Sequence, residues 1–267
     1  MTPQELLNHY DSGQCWPKPL DADGQYSVSD AYVDALSVRT LRIARDEKPK
    51  GYKIGFTNRK IWDLYKVYSP IWGTVWDSTV SYSNDHEARI SLKNICQPRI
   101  EPEIIFCFKD TPKHNASLDD LYNAIEWLAP GFEIVQSHRP SWKFTVSETI
   151  ADSGLHARLC IGQKCPIRDI AHSASELIKI LSGSSAELYL DNKLVETGWG
   201  SSVLDSPLEA LNYFVKELRG CPGSTDIQPG DVVTTGTWTD AWPLLPGQSW
   251  MVKFGFLNTN FNLKLLD

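Results

Sequence analysis

The chain has 267 residues, 26 basic and 33 acidic side chains, a net charge of −7 and 42% hydrophobic residues. That balance describes a globular protein long enough to bury its own core without disulfides or a structural metal, and its acidity excludes a nucleic-acid partner, whose binding relies on lysines and arginines that displace counterions. No apolar run reaches the roughly 20 residues that span a bilayer, and the start MTPQELLNHYDSGQCW has neither the basic nor the apolar stretch of a signal peptide, so a cytoplasmic protein without a membrane partner is expected.

Behind Ser29, read as an N-cap, Tyr32, Ala35, Leu36 and Ile43 fall at helical offsets. This predicts an amphipathic helix over about 29–46, stopped by Lys48-Pro49-Lys50-Gly51. YKIGF and IIFCF then read as strands. A capping box, Ser117 with Asp120, opens a helix carrying Leu121, Ile125 and Leu128, before the strand-like EIV and ARLCIG. Ser173 with Glu176 opens another, ahead of Leu177 and Leu181. ELYL joins KLVET through Asp191-Asn192 as a hairpin. The last helix is opened by Ser206 with Glu209 and carries Leu211, Val215 and Leu218, with Pro207 at its first position and Gly220 just past its end. DVVTTG and SWMVKFGFL close the chain as strands.

Strands and helices do not alternate regularly and no G-x-G-x-x-G occurs, which excludes a doubly wound dinucleotide fold. The pattern predicts an α+β protein, with a helical N-terminal section, residues 1–48, leading into one mixed-sheet domain, residues 49–267. The six cysteines form no C-x-x-C pair and read as buried thiols of a reducing compartment. Trp72, Trp199, Trp238 and Trp242 sit in polar, turn-like surroundings, as walls of a pocket or as subunit contacts.

Glu101-Pro102-Glu103 leads into the apolar run Ile104–Phe108, and strand alternation places both carboxylates on one face. Such a pair is either a solvent-facing edge or a cation site. Glu133, in Gly131-Phe132-Glu133-Ile134-Val135, again heads an apolar strand, and three hard oxygen ligands suit Mg²⁺ or Mn²⁺ better than any histidine- or cysteine-rich zinc site. Lys53, flanked by apolar residues and glycine in GYKIGF, is either a snorkelling surface lysine or a desolvated acid/base. Asp77 follows a strand as a turn former would. Gly236-Thr237 ends DVVTTG, where backbone N–H and hydroxyl donors can meet an anionic ligand or simply turn the chain.

Taken together, GYKIGFTN, PIWGTVWDSTV, QPRIEPEIIF, APGFEIVQS, ETIADSG, SPLEALNYFVKEL and PGDVVTTGT occur in an order and spacing that resembles the 2-keto-4-pentenoate hydratase/4-oxalocrotonate decarboxylase family of the fumarylacetoacetate hydrolase superfamily. The resemblance runs from about Ala31 to the C-terminus. It implies a β-rich, mixed-sheet roll preceded by helices, a homo-oligomer, and a small 2-oxo or 2-hydroxydienoic acid as substrate. It also implies Glu101, Glu103 and Glu133 as Mg²⁺ ligands, Lys53 as general acid/base, Asp77 as its polar partner, and Thr237 with Gly236 as substrate contacts. Hydration of a 2-hydroxy-2,4-dienoate is the activity it implies first, followed by decarboxylation and by acylpyruvate hydrolysis. A silent organic-acid binding module is disfavoured, because binding alone would not need Lys53.

Two segments depart from the family pattern. Ala151-Asp152-Ser153-Gly154-Leu155-His156 replaces the common A-D-N-A-S, and Gln136-Ser137-His138-Arg139 replaces D-S-R. His156 is therefore read either as a substrate-facing group or as a structural hydrogen-bonder, and the segment predicts an altered pocket for the distal end of the substrate.

Overall fold

A computed structural model of the chain describes residues 1–83 and 85–266. Its larger sheet runs, strand beside strand, Ile71–Trp76, Pro49–Gly55, Val232–Thr234, Arg99–Phe108, Ile125–Val135, His156–Ile161 and Val80–Tyr82. Two pairings in it are parallel, between 49–55 and 232–234 and between 80–82 and 156–161, and the rest of this path is antiparallel. The second sheet has the order Lys193–Trp199, Ser185–Leu190, Ser249–Phe254, Asn260–Leu266, Glu87–Ser91. This is the mixed-sheet α+β architecture expected, with the hairpin through Asp191-Asn192 in place.

The larger sheet is curled, and register defines its two faces. Cross-strand partners share a face, so Lys53, Thr234, Ile105 and Ala129 form one row, with Glu101 and Glu133 opposite each other in the next part of the same face. Below the charged groups that face is filled by Val75, Ile105, Cys107, Trp127, Ala129, Leu159, Ile161 and Val232, a separate buried cluster inside the curl. The outer face packs on the second sheet and on helices Leu118–Ala124, Ala174–Ser182 and Pro207–Gly220 through a larger core that includes Phe106, Phe132, Leu177, Phe214 and Trp250. Each large apolar side chain fully buried there contributes about 1.5–3 kcal/mol.

A third cluster joins the N-terminal helices Pro3–Ser12 and Val28–Ala44 to helix Val146–Ala151 through Leu6, Ala31, Val38 and Ile150. Phe56, Tyr65 and Ile71 pack on the same cluster, so the N-terminal helices support residues that border the site described below.

The capping signals locate helix starts well. Ser117 and Ser173 are N-caps as read. Ser206 caps too, although its hydroxyl accepts from Leu208 N–H and Gly220 is the last helical residue. The first long helix begins at Val28, with Ser27 and not Ser29 as its cap, because Ser27 closes a full box with Asp30. Leu118–Ala124 ends early: Ile125 and Leu128 belong to a strand, where they pair with Phe108 and Phe106. Two further boxes, Thr2 with Glu5 and Thr145 with Glu148, open helices that the apolar periodicity does not announce. Among the cysteines, Cys96, Cys107 and Cys160 are buried thiols, whereas Cys15 is exposed. No helix among the described residues is long and apolar enough to cross a membrane.

Candidate active site

Register assembles the acidic centre. Glu101 and Glu103 sit two residues apart on one strand, and Glu133 lies opposite Glu101 on the next. Carboxylate oxygens from the three lie within 4.8 Å of one another. Glu103 and Glu133 are fully buried. Glu103 Oε2 accepts from Gly236 N–H at 2.7 Å, while its Oε1 is buried without a hydrogen-bond partner. Like charges placed directly opposite in a sheet are destabilising, so this face requires positive charge or protons.

Lys53 supplies one positive charge. It reaches in from the strand two places away, is 3% exposed, and holds its Nζ 3.3 Å from Glu133 Oε2, an ion-pair contact without hydrogen-bond alignment. Its stem passes over Gly154, where a Cβ would lie 3.2 Å from Lys53 Cδ and where φ is +64°. A side chain at 154 would thus crowd the lysine and strain the turn.

The titration preferences follow from burial and crowding. Burial pushes the Glu101 carboxyl up to about 7, with Lys53 opposing. Glu103 is raised well above the usual range by burial and by repulsion from Glu133 and Glu101. Glu133 stays below the ordinary carboxylate value despite burial, because Lys53 and His156 both favour its charge. Burial also works against the Lys53 ammonium, but Glu133, Glu101 and Glu103 together outweigh it and raise its pKa.

The donor set fits a divalent cation. Three convergent carboxylates, one with an unpartnered buried oxygen, offer hard oxygen ligands, and among the described residues this is the one such cluster of histidine, cysteine or acidic groups. A dication would relieve the repulsion among the three carboxylates and offset the cost of burying their charge.

The remaining sequence candidates separate. Gly236 and Thr237 border the cavity, but the Gly236 N–H is committed to Glu103, so it steadies a carboxylate and is not a free donor for a ligand. At φ +99°, a Cβ there would lie 2.0 Å from Thr57 Oγ1, which leaves glycine as the residue that lets the backbone reach Glu103. The Thr237 hydroxyl donates to Thr239 O.

His156 does not border the cavity. A bulge at the junction of 125–135 and 156–161, where Val135 pairs with His156 directly after Ile134 pairs with Arg158, turns the imidazole onto the inner face beneath Glu133. Nδ1 lies 2.9 Å from Glu133 Oε1 and Nε2 2.9 Å from Thr79 Oγ1. Burial lowers its pKa and favours the neutral ring, whose Nδ1 faces the Glu133 carboxylate and whose Nε2 meets the Thr79 hydroxyl. The substrate-facing reading is thereby corrected to a hydrogen-bonding one.

Asp77 is also corrected. Lys53 pairs with Gly73, which puts Asp77 beyond the far end of the 71–76 strand. There it is exposed, and its carboxylate accepts from Lys48 N–H at 3.0 Å. Asp77 is the turn former that its position suggested. Of the tryptophans, Trp199 and Trp238 border the cavity, as does Trp142, which carried no sequence signal; Trp72 is core. The departure at 136–139 places His138 against Asp152, with Nδ1 2.5 Å from Oδ1, away from the cavity lining.

No protein-family model matches the chain. It is 30% identical over 202 residues, 75% of its length, to 2-hydroxypent-2,4-dienoate hydratase of Pseudomonas putida, covering 86% of that protein. It is 29% identical over 246 residues to 2-hydroxyhexa-2,4-dienoate hydratase of Comamonas testosteroni, with 91% of this chain and 87% of the other aligned. Its fold superposes on 4-oxalocrotonate decarboxylase from Pseudomonas putida G7, complexed with magnesium and adipate, with a TM-score of 0.88 at 22% identity, over 99% of this chain and 95% of that one. The chain belongs to the 2-keto-4-pentenoate hydratase/4-oxalocrotonate decarboxylase family.

Proposed function

We propose that this protein is a metal-dependent lyase that hydrates a 2-hydroxy-2,4-dienoate to a 4-hydroxy-2-oxo acid, with Glu101, Glu103 and Glu133 holding Mg²⁺ or Mn²⁺ and Lys53 moving the proton. The observation that carries this reading is Lys53 buried at the inner end of a cavity against a complete carboxylate triad. A metal or acid binder would not need an ammonium desolvated beside its ligands. When bound, the divalent cation supplies Lewis-acid stabilisation of negative charge on the 2-oxygen of the substrate.

The chain's own residues do the rest. Lys53 Nζ transfers protons between the dienol and its keto tautomer, a role that general acid–base groups typically support by about 10²–10⁴-fold. Glu133 keeps Nζ oriented, and His156 keeps Glu133 oriented. Gly236 N–H holds Glu103 in place, and Thr237, whose hydroxyl donates to Thr239 O, borders the cavity beside it. Phe56, Tyr65, Trp142 and Phe144 give the chamber an aromatic lining.

A homo-oligomer belongs to the same reading, supported by the exposed Leu64, Tyr68, Leu194, Trp199 and Leu245. So does a reducing, cytoplasmic setting, supported by six free thiols. The test is to incubate the Mg²⁺-loaded protein with 2-hydroxypenta-2,4-dienoate and with 4-oxalocrotonate, following diene absorbance and CO₂ together. Loss of the diene without CO₂, abolished by chelator, is expected. CO₂ release from 4-oxalocrotonate with an untouched pentadienoate would make the protein a decarboxylase instead.

A further inference from the structure

The cavity outside the glutamates has a volume of about 420 Å³. Pockets of ~300–1,000 Å³ hold drug-sized ligands, so this one offers more room than a pentadienoate skeleton fills. Its walls differ in chemistry. One is a continuous aromatic surface: Phe56 meets Tyr65 edge-on with centroids 5.0 Å apart, Tyr65 stacks on Phe144 at 5.8 Å, and Phe144 meets Trp142 at 6.0 Å. Ile71 and Leu155 complete it.

The rest of the lining is polar and partly committed, while the buried Trp238 Nε1 has no partner. Glu196 accepts from Asp240 N–H and from Trp242 Nε1, and the Thr237 hydroxyl is bonded to Thr239. Glu196 and Asp240 in it are acidic. Among the described residues, the one cation besides Lys53 that borders the cavity is Lys60, which is exposed. Arg99 does not border it; its guanidinium stacks 4.3 Å from the Trp142 ring centroid and donates to Ala241 O.

From these contacts we infer that the substrate carries an uncharged hydrocarbon group, alkyl or aryl, at the end distal to its 2-oxo acid, seated on the Phe56–Tyr65–Phe144–Trp142 wall, and that a second carboxylate is excluded. This deepens the lyase reading above and rests on it for the placement of the acid end. A distal carboxylate would lose its water against the aromatic wall or face Glu196 and Asp240, with no buried cation to pair it. A hydrocarbon tail gains from the same surface, and mismatches of this kind separate substrates by orders of magnitude.

The test compares specificity constants of the Mg²⁺-loaded protein for 2-hydroxypenta-2,4-dienoate, 2-hydroxy-6-phenylhexa-2,4-dienoate and 2-hydroxyhexa-2,4-dienedioate. The phenyl substrate should exceed the dicarboxylate by at least about a hundredfold. Phe144→Arg should narrow that ratio by at least about tenfold, and Lys60→Ala should leave it unchanged. A ratio near one, or a preference for the dicarboxylate lost in Lys60→Ala, overturns the inference while leaving lyase activity standing. Failure to turn over any dienoate overturns the lyase reading instead. Binding of the non-reacting 2-oxo-6-phenylhexanoate and 2-oxoadipate to the Mg²⁺-loaded protein then still decides the tail preference: tighter 2-oxoadipate binding refutes it, and tighter phenyl binding upholds it.

Discussion

His156 Nδ1 lies 2.9 Å from Glu133 Oε1, while the other oxygen of the same carboxylate lies 3.3 Å from Lys53 Nζ. One buried glutamate therefore couples a neutral imidazole that faces no cavity to the ammonium that does. Groups that orient a ligand carboxylate commonly change metal affinity by about 10–100-fold when removed. His156→Ala should weaken Mg²⁺ binding to that extent, with a smaller effect on the substrate KM measured at saturating metal. His156→Asn, whose amide can replace the Nδ1 donor, should recover most of the loss. Unchanged Mg²⁺ titration curves for both variants would refute the coupling.

Lys53→Met removes the charge and keeps the stem. Deuterium exchange into the substrate should fall by about 10²–10⁴-fold. Mg²⁺ binding should persist, since the lysine is not a ligand and its removal takes away a competing positive charge. Normal exchange in the variant would remove Lys53 from the mechanism.

The metal-free protein should lose stability as pH rises. Burial holds the Glu101 pKa at about 7, above its ordinary 4.5. Between those values the folded state binds more protons than the unfolded chain, so this contribution is complete below about 4.5 and is lost as pH rises through about 7. Urea midpoints of chelator-treated protein should fall from pH 5 to pH 8, Mg²⁺ should restore stability mainly at pH 8, and Glu101→Gln should flatten the profile. A midpoint that rises with pH in the metal-free protein would contradict the crowding of these carboxylates.

Asp77→Ala should cost only the hydrogen bond to Lys48, about 0.5–1.5 kcal/mol of stability, and leave the specificity constant within about twofold. A large loss of turnover without loss of fold would return Asp77 to the catalytic apparatus.

Features that depend on neighbours within a few residues were legible along the chain. Ser117, Ser173 and Ser206 cap helices because a hydroxyl reaches a backbone N–H two or three residues on, whatever the rest of the molecule does. Glu101 and Glu103 share a face because strand side chains alternate. Long-range pairing decided the rest. Ile125 and Leu128 follow a helical spacing yet form a strand, since pairing with Phe108 and Phe106 buries them completely. Glu133 becomes the third member of the acidic centre through the register that sets it opposite Glu101. A bulge sends His156 inward to Glu133, and the pairing of Lys53 with Gly73 leaves Asp77 beyond the strand's far end. A one-residue change of register exchanges the faces of a strand, so which polar groups meet in the interior is settled by contacts between segments far apart in the chain, which no local pattern encodes.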